Sequence, residues 1–234
     1  MTPILHVGNR NYSSWSLRPW LVLRWSGLAF DTRDIRLDQP GYGEQAIAEV
    51  RAVSPAGTLP ALTVGDLAIW DSLAIAEWVA EQVPAGTLWP ADASRRALAR
   101  AVTCEMHSGF GGVRRDLSMN IHRRVRVEPS QWPEDTRRGL ARLEEIFVSM
   151  RRRHAGEGPW LFGPRSIADA FFTPVATRLR TYGVALGAAA QGYCDTLLSD
   201  PDFRAWETSC TGERWDREGY PVIDALWSDA TAKP

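Results

Sequence analysis

Three serines, Ser13, Ser14 and Ser16, stand in the run Tyr12-Ser13-Ser14-Trp15-Ser16-Leu17-Arg18, at the start of an apolar helical pattern. Hydroxyls so placed can cap the helix by accepting from its free N–H groups. Together with the positive end of the helix they also favour localised negative charge. Asp71-Ser72 is a second place of this kind, opening the pattern Leu73 to Gln82. Either side chain can cap that helix, and the hydroxyl and free N–H groups suit an anion while the carboxylate suits a cation. The other reactive types are sparse. Cys104, Cys194 and Cys210 form no C-x-x-C pair, and His6, His107, His122 and His154 show no spacing such as H-E-x-x-H, so no metal site and no dithiol redox centre is expected. The single lysine is Lys233, beside the final proline. That argues against Schiff-base, pyridoxal-phosphate and P-loop chemistry, each of which needs a lysine positioned in the folded core.

The elements that must position these residues fall into two series. Ile4 to Val7 is a short apolar run ended by Gly8, which predicts a buried strand. Ser16 to Trp25 reads as a helix, with Pro19 tolerated as a first-turn proline and Gly27 after its end. Phe30 to Leu37 reads as a second strand, and a short helical pattern lies within Gln39 to Val53. Ala61 to Val64 and Leu67 to Trp70 flank Gly65-Asp66 as a hairpin with a two-residue turn, and the helix Leu73 to Gln82 follows. Beyond Val83-Pro84-Ala85-Gly86 the pattern is helical throughout. Asp92 or Ser94 can cap one long helix, and Pro133-Glu134 starts another that ends in Arg151-Arg152-Arg153, a solvated C-terminal turn whose charge suits the dipole. Ser166-Ile167-Ala168-Asp169 has the form of a capping box, which assigns Asp169 to folding, and Asp200-Pro201 marks a further helix start.

A βαβαββα unit followed by an all-helical one, at this length, resembles the soluble glutathione S-transferases. The resemblance covers nearly the whole chain and rests on four motifs in order. Tyr12 to Arg18 looks like the S-S-C-S-x-R motif of the zeta class, with Trp15 in place of Cys. Ser54-Pro55-Ala56-Gly57-Thr58-Leu59-Pro60 looks like the segment leading to the family's cis-proline, with Gly57 and Thr58 where the zeta class has Lys and Gln. Asp71-Ser72 matches the family's acidic-or-Gln/Ser pair, and Ser166 to Asp169 its helical-domain capping box. Glu105-Met106-His107-Ser108-Gly109-Phe110 resembles a little-characterised bacterial branch of the same family.

The resemblance implies a thioredoxin-like α/β domain over residues 1–83, a linker over 84–91 and an all-α domain over 92–234 that contributes the electrophile pocket. It implies glutathione as co-substrate. Ser13 is expected to stabilise the thiolate, with Ser14 in support and Tyr12 as the nearby competitor. Thr58, Leu59 and Pro60 are expected along the cysteinyl backbone, Leu59 through its main-chain N–H and C=O as an added strand would pair. Asp71 and Ser72 are expected at the γ-glutamyl group. Trp15, His107, Phe110, Gly111 and Arg114 are candidates for the electrophile pocket, His107 and Arg114 being two turns apart on one helical face. Cys104 is expected to be a buried small hydrophobe.

The activity implied is conjugation of glutathione to a small hydrophobic electrophile. The alternatives are a glutathione-dependent cis-trans isomerase of the maleylacetoacetate type, weighed down by Trp15 and Asp71, and a glutathione-fold binding protein with little turnover. A thiol reductase would need a cysteine at the first helix and is excluded. A homodimer is implied, with no sequence feature marking its interface. A 44% hydrophobic, 24% charged chain with net charge −1 gives no electrostatic reason for nucleic acid or anionic lipid as partner. No apolar run reaches the roughly 18 residues of a membrane span. Met1-Thr2-Pro3 lacks a basic signal region, and the sparse cysteines fit a reducing cytoplasm.

Overall fold

The computed structural model describes residues 1–213. Residues 214–234, which include Lys233 and the end of the expected helical domain, lie outside the described residues. The first part runs β1 (Ile4–Val7), α1 (Ser14–Ser26), β2 (Asp31–Asp34), α2 (Ala48–Arg51), β3 (Ala61–Val64), β4 (Leu67–Trp70) and α3 (Ser72–Glu81). The sheet order is β2-β1-β3-β4, with β1 parallel to β2 and β3 antiparallel to both β1 and β4. This is the expected thioredoxin-like βαβαββα arrangement. The hairpin turns through Gly65 at φ 59°, a left-handed value that costs glycine little. The second strand is shorter than Phe30 to Leu37, because it is an edge strand whose Asp31, Arg33 and Asp34 face water.

The second part contains α4 (Ala93–Ser108), α5 (Gly111–Asp116), α6 (Glu134–His154), α7 (Ile167–Thr181), α8 (Ala188–Ser199) and α9 (Pro201–Ser209). Helix α1 is enclosed by both parts, packing on α3 from its own side and on α7 and α9 from the other. Leu17, Leu21, Val22 and Leu23 are consequently fully buried around its whole circumference. Phe171 and Phe172 of α7 belong to the same apolar cluster as Leu5 and Val7 of β1. Full burial of side chains of this size contributes about 1.5–3 kcal/mol each.

Local signals fixed most helix starts. Asp92 caps α4 through Arg95 N, and Asp200 caps α9 through Asp202 N and Phe203 N. The Ser166–Asp169 box forms as expected, with Asp169 Oδ2 accepting from Ser166 N at 2.8 Å. Three expectations are corrected. Helix α1 starts at Ser14, because Ser13 is its cap, so Pro19 lies in the second turn and the Trp15 carbonyl has no N–H to receive there. His107 and Arg114 do not share a helix, since Phe110 at φ 60° separates α4 from α5. Cys104 is exposed, because the buried stripe of α4 is Ala99, Val102, Thr103 and Met106 and Cys104 falls outside it.

Candidate functional site

Ser13 is held by a tight turn ahead of α1, with its N–H donating to the Asn9 carbonyl at 2.8 Å. Its Oγ accepts from Ser16 N at 3.3 Å, the capping bond, and donates to Ser16 Oγ at 2.8 Å. Ser16 Oγ also takes the Gly8 N–H at 3.1 Å, which ties the cap back to the end of β1. Ser16 is therefore part of the arrangement, as the support of Ser13. The S-x-x-S spacing across a helix start was the available signal.

Ser14 is buried and faces the helical part, where its Oγ accepts from Arg178 Nη2 at 2.8 Å. Arg178, 6% exposed on α7, also donates to the Leu117 carbonyl. No local pattern marks an arginine that arrives from the far end of α7. Tyr12 is half-buried and lines the same cavity as Ser13, which leaves it beside the site as the sequence suggested.

The Leu59-Pro60 peptide bond is cis, immediately before β3. Thr58 is exposed, Leu59 half-buried and Pro60 buried. Gly57 sits at φ 68°, and a Cβ there would lie 2.6 Å from the Gln45 carbonyl oxygen, which accounts for the missing side chain at this position.

Asp71 adopts φ 76° and ψ 132°, a backbone state uncommon for a residue with a side chain. Its Oδ1 accepts from Leu73 N at 2.8 Å and Ala74 N at 3.2 Å, capping α3. Its Oδ2 lies 3.2 Å from His107 Nε2, reaching across from α4. The Ser72 hydroxyl is buried and has no hydrogen-bond partner among the described residues.

Trp15 is the centre of an unusual cationic stack. The guanidinium of Arg18 lies 4.3 Å and that of Arg114 4.6 Å from its ring centroid. Arg18 is 1% exposed, and its Nε and Nη1 have no partner among the described residues. Burial first, then Arg114 and Arg178, push its pKa well below the usual arginine value, against the pull of Asp71. Arg114 donates to the carbonyls of Met106, His107 and Gly109, bringing positive charge to the C-terminal end of α4.

Most of these groups, though not Ser16, Arg18 or His107, open onto one cavity of about 840 Å³ between the two parts. Ser13, Ser14, Leu59, Pro60, Asp71 and Ser72 line one side, with Thr58 beside them. The opposite wall carries Arg114, Arg115, Arg123 and Arg178 together with Asn120 and Tyr182. Of the expected pocket residues, Trp15 and Arg114 reach this cavity, whereas His107, Phe110 and Gly111 are not among its lining. The wall is held in register by Asn11, whose Nδ2 donates to Asn120 Oδ1 at 3.0 Å and whose carbonyl accepts from Ile121 N at 3.3 Å. Among the described residues no group of three or more His, Cys, Asp or Glu side chains could hold a metal ion. None of the described helices is long and apolar enough to cross a membrane.

The sequence profile of the glutathione S-transferase N-terminal domain matches residues 12–82, the stretch that carries Ser13, the cis-proline and Asp71. The maleylacetoacetate isomerase of Rattus norvegicus is 33% identical over 187 residues, covering 79% of this chain and 81% of the relative. The chain belongs to the glutathione S-transferase family. It is accordingly a glutathione-dependent enzyme of that family. Glutathione S-transferase Z1 of Arabidopsis thaliana is 28% identical over 166 residues, 69% of this chain and 71% of that one. Among solved structures, a glutathione transferase homologue from a Burkholderia species, with bound glutathione, superposes with a TM-score of 0.65 at 22% identity, covering 92% of this chain and all of that one. A likeness at that identity speaks to the fold alone.

Proposed function

We propose that residues 1–83 hold glutathione along the Ser13–Leu59–Asp71 side of the cavity and that 92–234 supply the acceptor wall, joined by the linker 84–91. The observation carrying this reading is the convergence of two capped helix N-termini, α1 at Ser13 and α3 at Asp71, on the same cavity edge as the Leu59–Pro60 segment. Glutathione presents a thiol, a peptide backbone and a γ-glutamyl head in that order, and these three features can meet them in that order. The Leu59 main chain pairs the cysteinyl peptide, with Thr58 at its exposed flank. Asp71 Oδ2 takes the ammonium, while the Ser72 hydroxyl and the first N–H groups of α3 take the carboxylate.

At the other end the task is to favour thiolate over thiol. An ordinary cysteine thiol has a pKa of about 8.5, and lowering it by about two units takes roughly 2.7 kcal/mol. Ser13 stands at the positive end of α1, where a hydroxyl hydrogen bond and the helix dipole add together. A hydroxyl rotates freely. When Ser13 turns its proton to the sulfur, Ser16 can donate back to Ser13 Oγ, so the bond between the two serines persists with reversed polarity. Ser14 acts differently: its oxygen anchors Arg178, a fixed positive charge at the same cavity. In conjugation, the thiolate sulfur forms a bond to the electrophilic carbon, and the leaving group departs with its electron pair or the adjacent carbon takes up a proton.

A second reading is favoured by the arginine-lined wall. Arg114, Arg123 and Arg178, beside an Arg115 already ion-paired to Asp116 and Asp135, suit an anionic acceptor better than an uncharged apolar one, which narrows the expected electrophile. Such a wall fits glutathione-dependent cis-trans isomerisation of an unsaturated keto acid, and the rat relative bears the name of a maleylacetoacetate isomerase. The thiolate would add to the conjugated double bond, the resulting single bond would rotate, and expulsion of the same thiolate would restore the double bond. Trp15, in contact with two guanidiniums, is the side chain that shapes this volume. Turnover of maleylacetone without net loss of glutathione supports isomerisation, whereas loss of glutathione in step with product supports conjugation. We place the enzyme in the cytoplasm as a homodimer; sedimentation at twice the chain mass is the expected result. Thiolate absorbance appearing on glutathione binding at neutral pH, and lost in Ser13→Ala, tests the central assignment.

A further inference from the structure

Asp71 has one oxygen to spare. Its Oδ1 is occupied by the N–H groups of Leu73 and Ala74, so Oδ2 is the atom left to meet a ligand. That oxygen is already met, at 3.2 Å, by His107 Nε2 of α4. A carboxylate oxygen accepts more than one hydrogen bond, so a neutral His107 can donate to Oδ2 and leave room for a ligand ammonium. A protonated His107 would hold the same oxygen as an ion pair and repel an incoming cation.

We propose that His107 is a positioning residue that fixes the ammonium-binding oxygen of Asp71 and makes glutathione binding sensitive to mildly acidic pH. This inference rests on the assignment of Asp71 to the γ-glutamyl ammonium. The surroundings of the ring suit the role. Trp15 meets it edge-on with centroids 5.4 Å apart, and Phe171 lies at 6.1 Å from the α7 side. Its Nδ1 is buried with no hydrogen-bond partner among the described residues, so a second ring proton would be an unpaired donor. The charged groups facing it are Asp71 from the start of α3, Arg18 from α1 and Arg114 from α5. Burial, then Arg18 and Arg114, press its pKa below 6.5, while Asp71 pulls it up; the net direction is down. At neutral pH the imidazole is therefore uncharged, and the negative charge of Asp71 is left for the ligand. Once the pH is acid enough to overcome that lowering, the ring takes a proton, the pair closes on itself and glutathione loses its partner. By linkage, binding releases a proton in that range.

The test uses the full chain and S-methylglutathione, which has no thiol to titrate, measured by calorimetry from pH 7.5 to 5.5 in buffers of different ionisation enthalpy. The wild-type protein should bind about fivefold more weakly at the acid end, with net proton release. His107→Gln keeps an amide donor without the titration and should bind within about twofold of the neutral wild-type value at every pH. In turnover, His107→Ala should raise KM for glutathione and leave kcat at saturating glutathione unchanged, a split that general misfolding would not produce. Tight, pH-independent binding by the wild-type protein, or an unchanged pH response in His107→Gln, would overturn the inference while sparing the glutathione assignment. Failure of the wild-type protein to bind at any pH would overturn both.

Discussion

Asp71 and Asp169 are both acidic residues at helix N-termini, and each was recognisable from the residues beside it. They are used in opposite ways. Asp169 is fully buried, and both its oxygens are filled from within the helical part: Ser166 N and Oγ on Oδ2, Leu161 N at 3.0 Å and Tyr193 Oη at 2.8 Å on Oδ1. Burial pushes its carboxyl pKa up while these four donors pull it back. Asp71 is half-exposed at the cavity, strained in its backbone, and capped on one oxygen only. A saturated carboxylate stabilises a fold; one with an unfilled lone pair facing a cavity is available to a ligand. The difference lies in spare hydrogen-bonding capacity, since both residues serve a helix start, Asp71 as the N-cap of α3 and Asp169 as the third residue of a capping box on α7.

Substitution should separate the two aspartates. Asp169→Ala should be the more damaging change, because it leaves several buried donors unpaired; a loss of about 3–5 kcal/mol in urea unfolding is expected, with soluble yield falling accordingly. A stability within about 1 kcal/mol of wild type would show that the buried box contributes little. Asp71→Asn should reverse the pattern. An asparagine still caps α3, so stability should change by about 1 kcal/mol or less, whereas KM for glutathione should rise by about tenfold to a hundredfold with kcat little altered. If Asp71→Asn instead unfolds the protein and leaves KM alone, the two aspartates are alike and the distinction fails. The smallest effect is expected at Cys104, which is exposed, absent from the cavity lining and free of any disulfide. Cys104→Ser should leave both melting temperature and turnover within error, in contrast to Cys194, whose burial holds its thiol pKa at about 12.

Much of this molecule was legible because it is local. The caps at Asp71, Asp92, Asp200 and the Ser166–Asp169 box involve a side chain and the backbone two or three residues on, so spacing alone reveals them. The hairpin through Gly65 is of the same kind. What escaped depends on tertiary approach. Arg178 reaches Ser14 from a distant part of the chain, and Arg18 is buried because α1 is sandwiched between α3 and α7. Neither is encoded by a periodicity. The break at Phe110 requires a left-handed phenylalanine, which no residue preference would suggest, and it moves Arg114 from the face of α4 to the end of it. Arg178 joins the cavity wall by such a long-range arrival and Arg114 by the break at Phe110, and no local pattern in the sequence marks either.

Catalysis as proposed requires Ser13 and the start of α1 to hold the sulfur as a thiolate. The most direct measurement is a pH titration of thiolate absorbance for glutathione bound to the wild-type protein and to Ser13→Ala. The wild-type complex should titrate about two units below free glutathione, and the variant should return most of that shift, with kcat/KM reduced by up to about a hundredfold. Bound glutathione that titrates like free glutathione, or a Ser13→Ala protein that keeps the full shift, would contradict it.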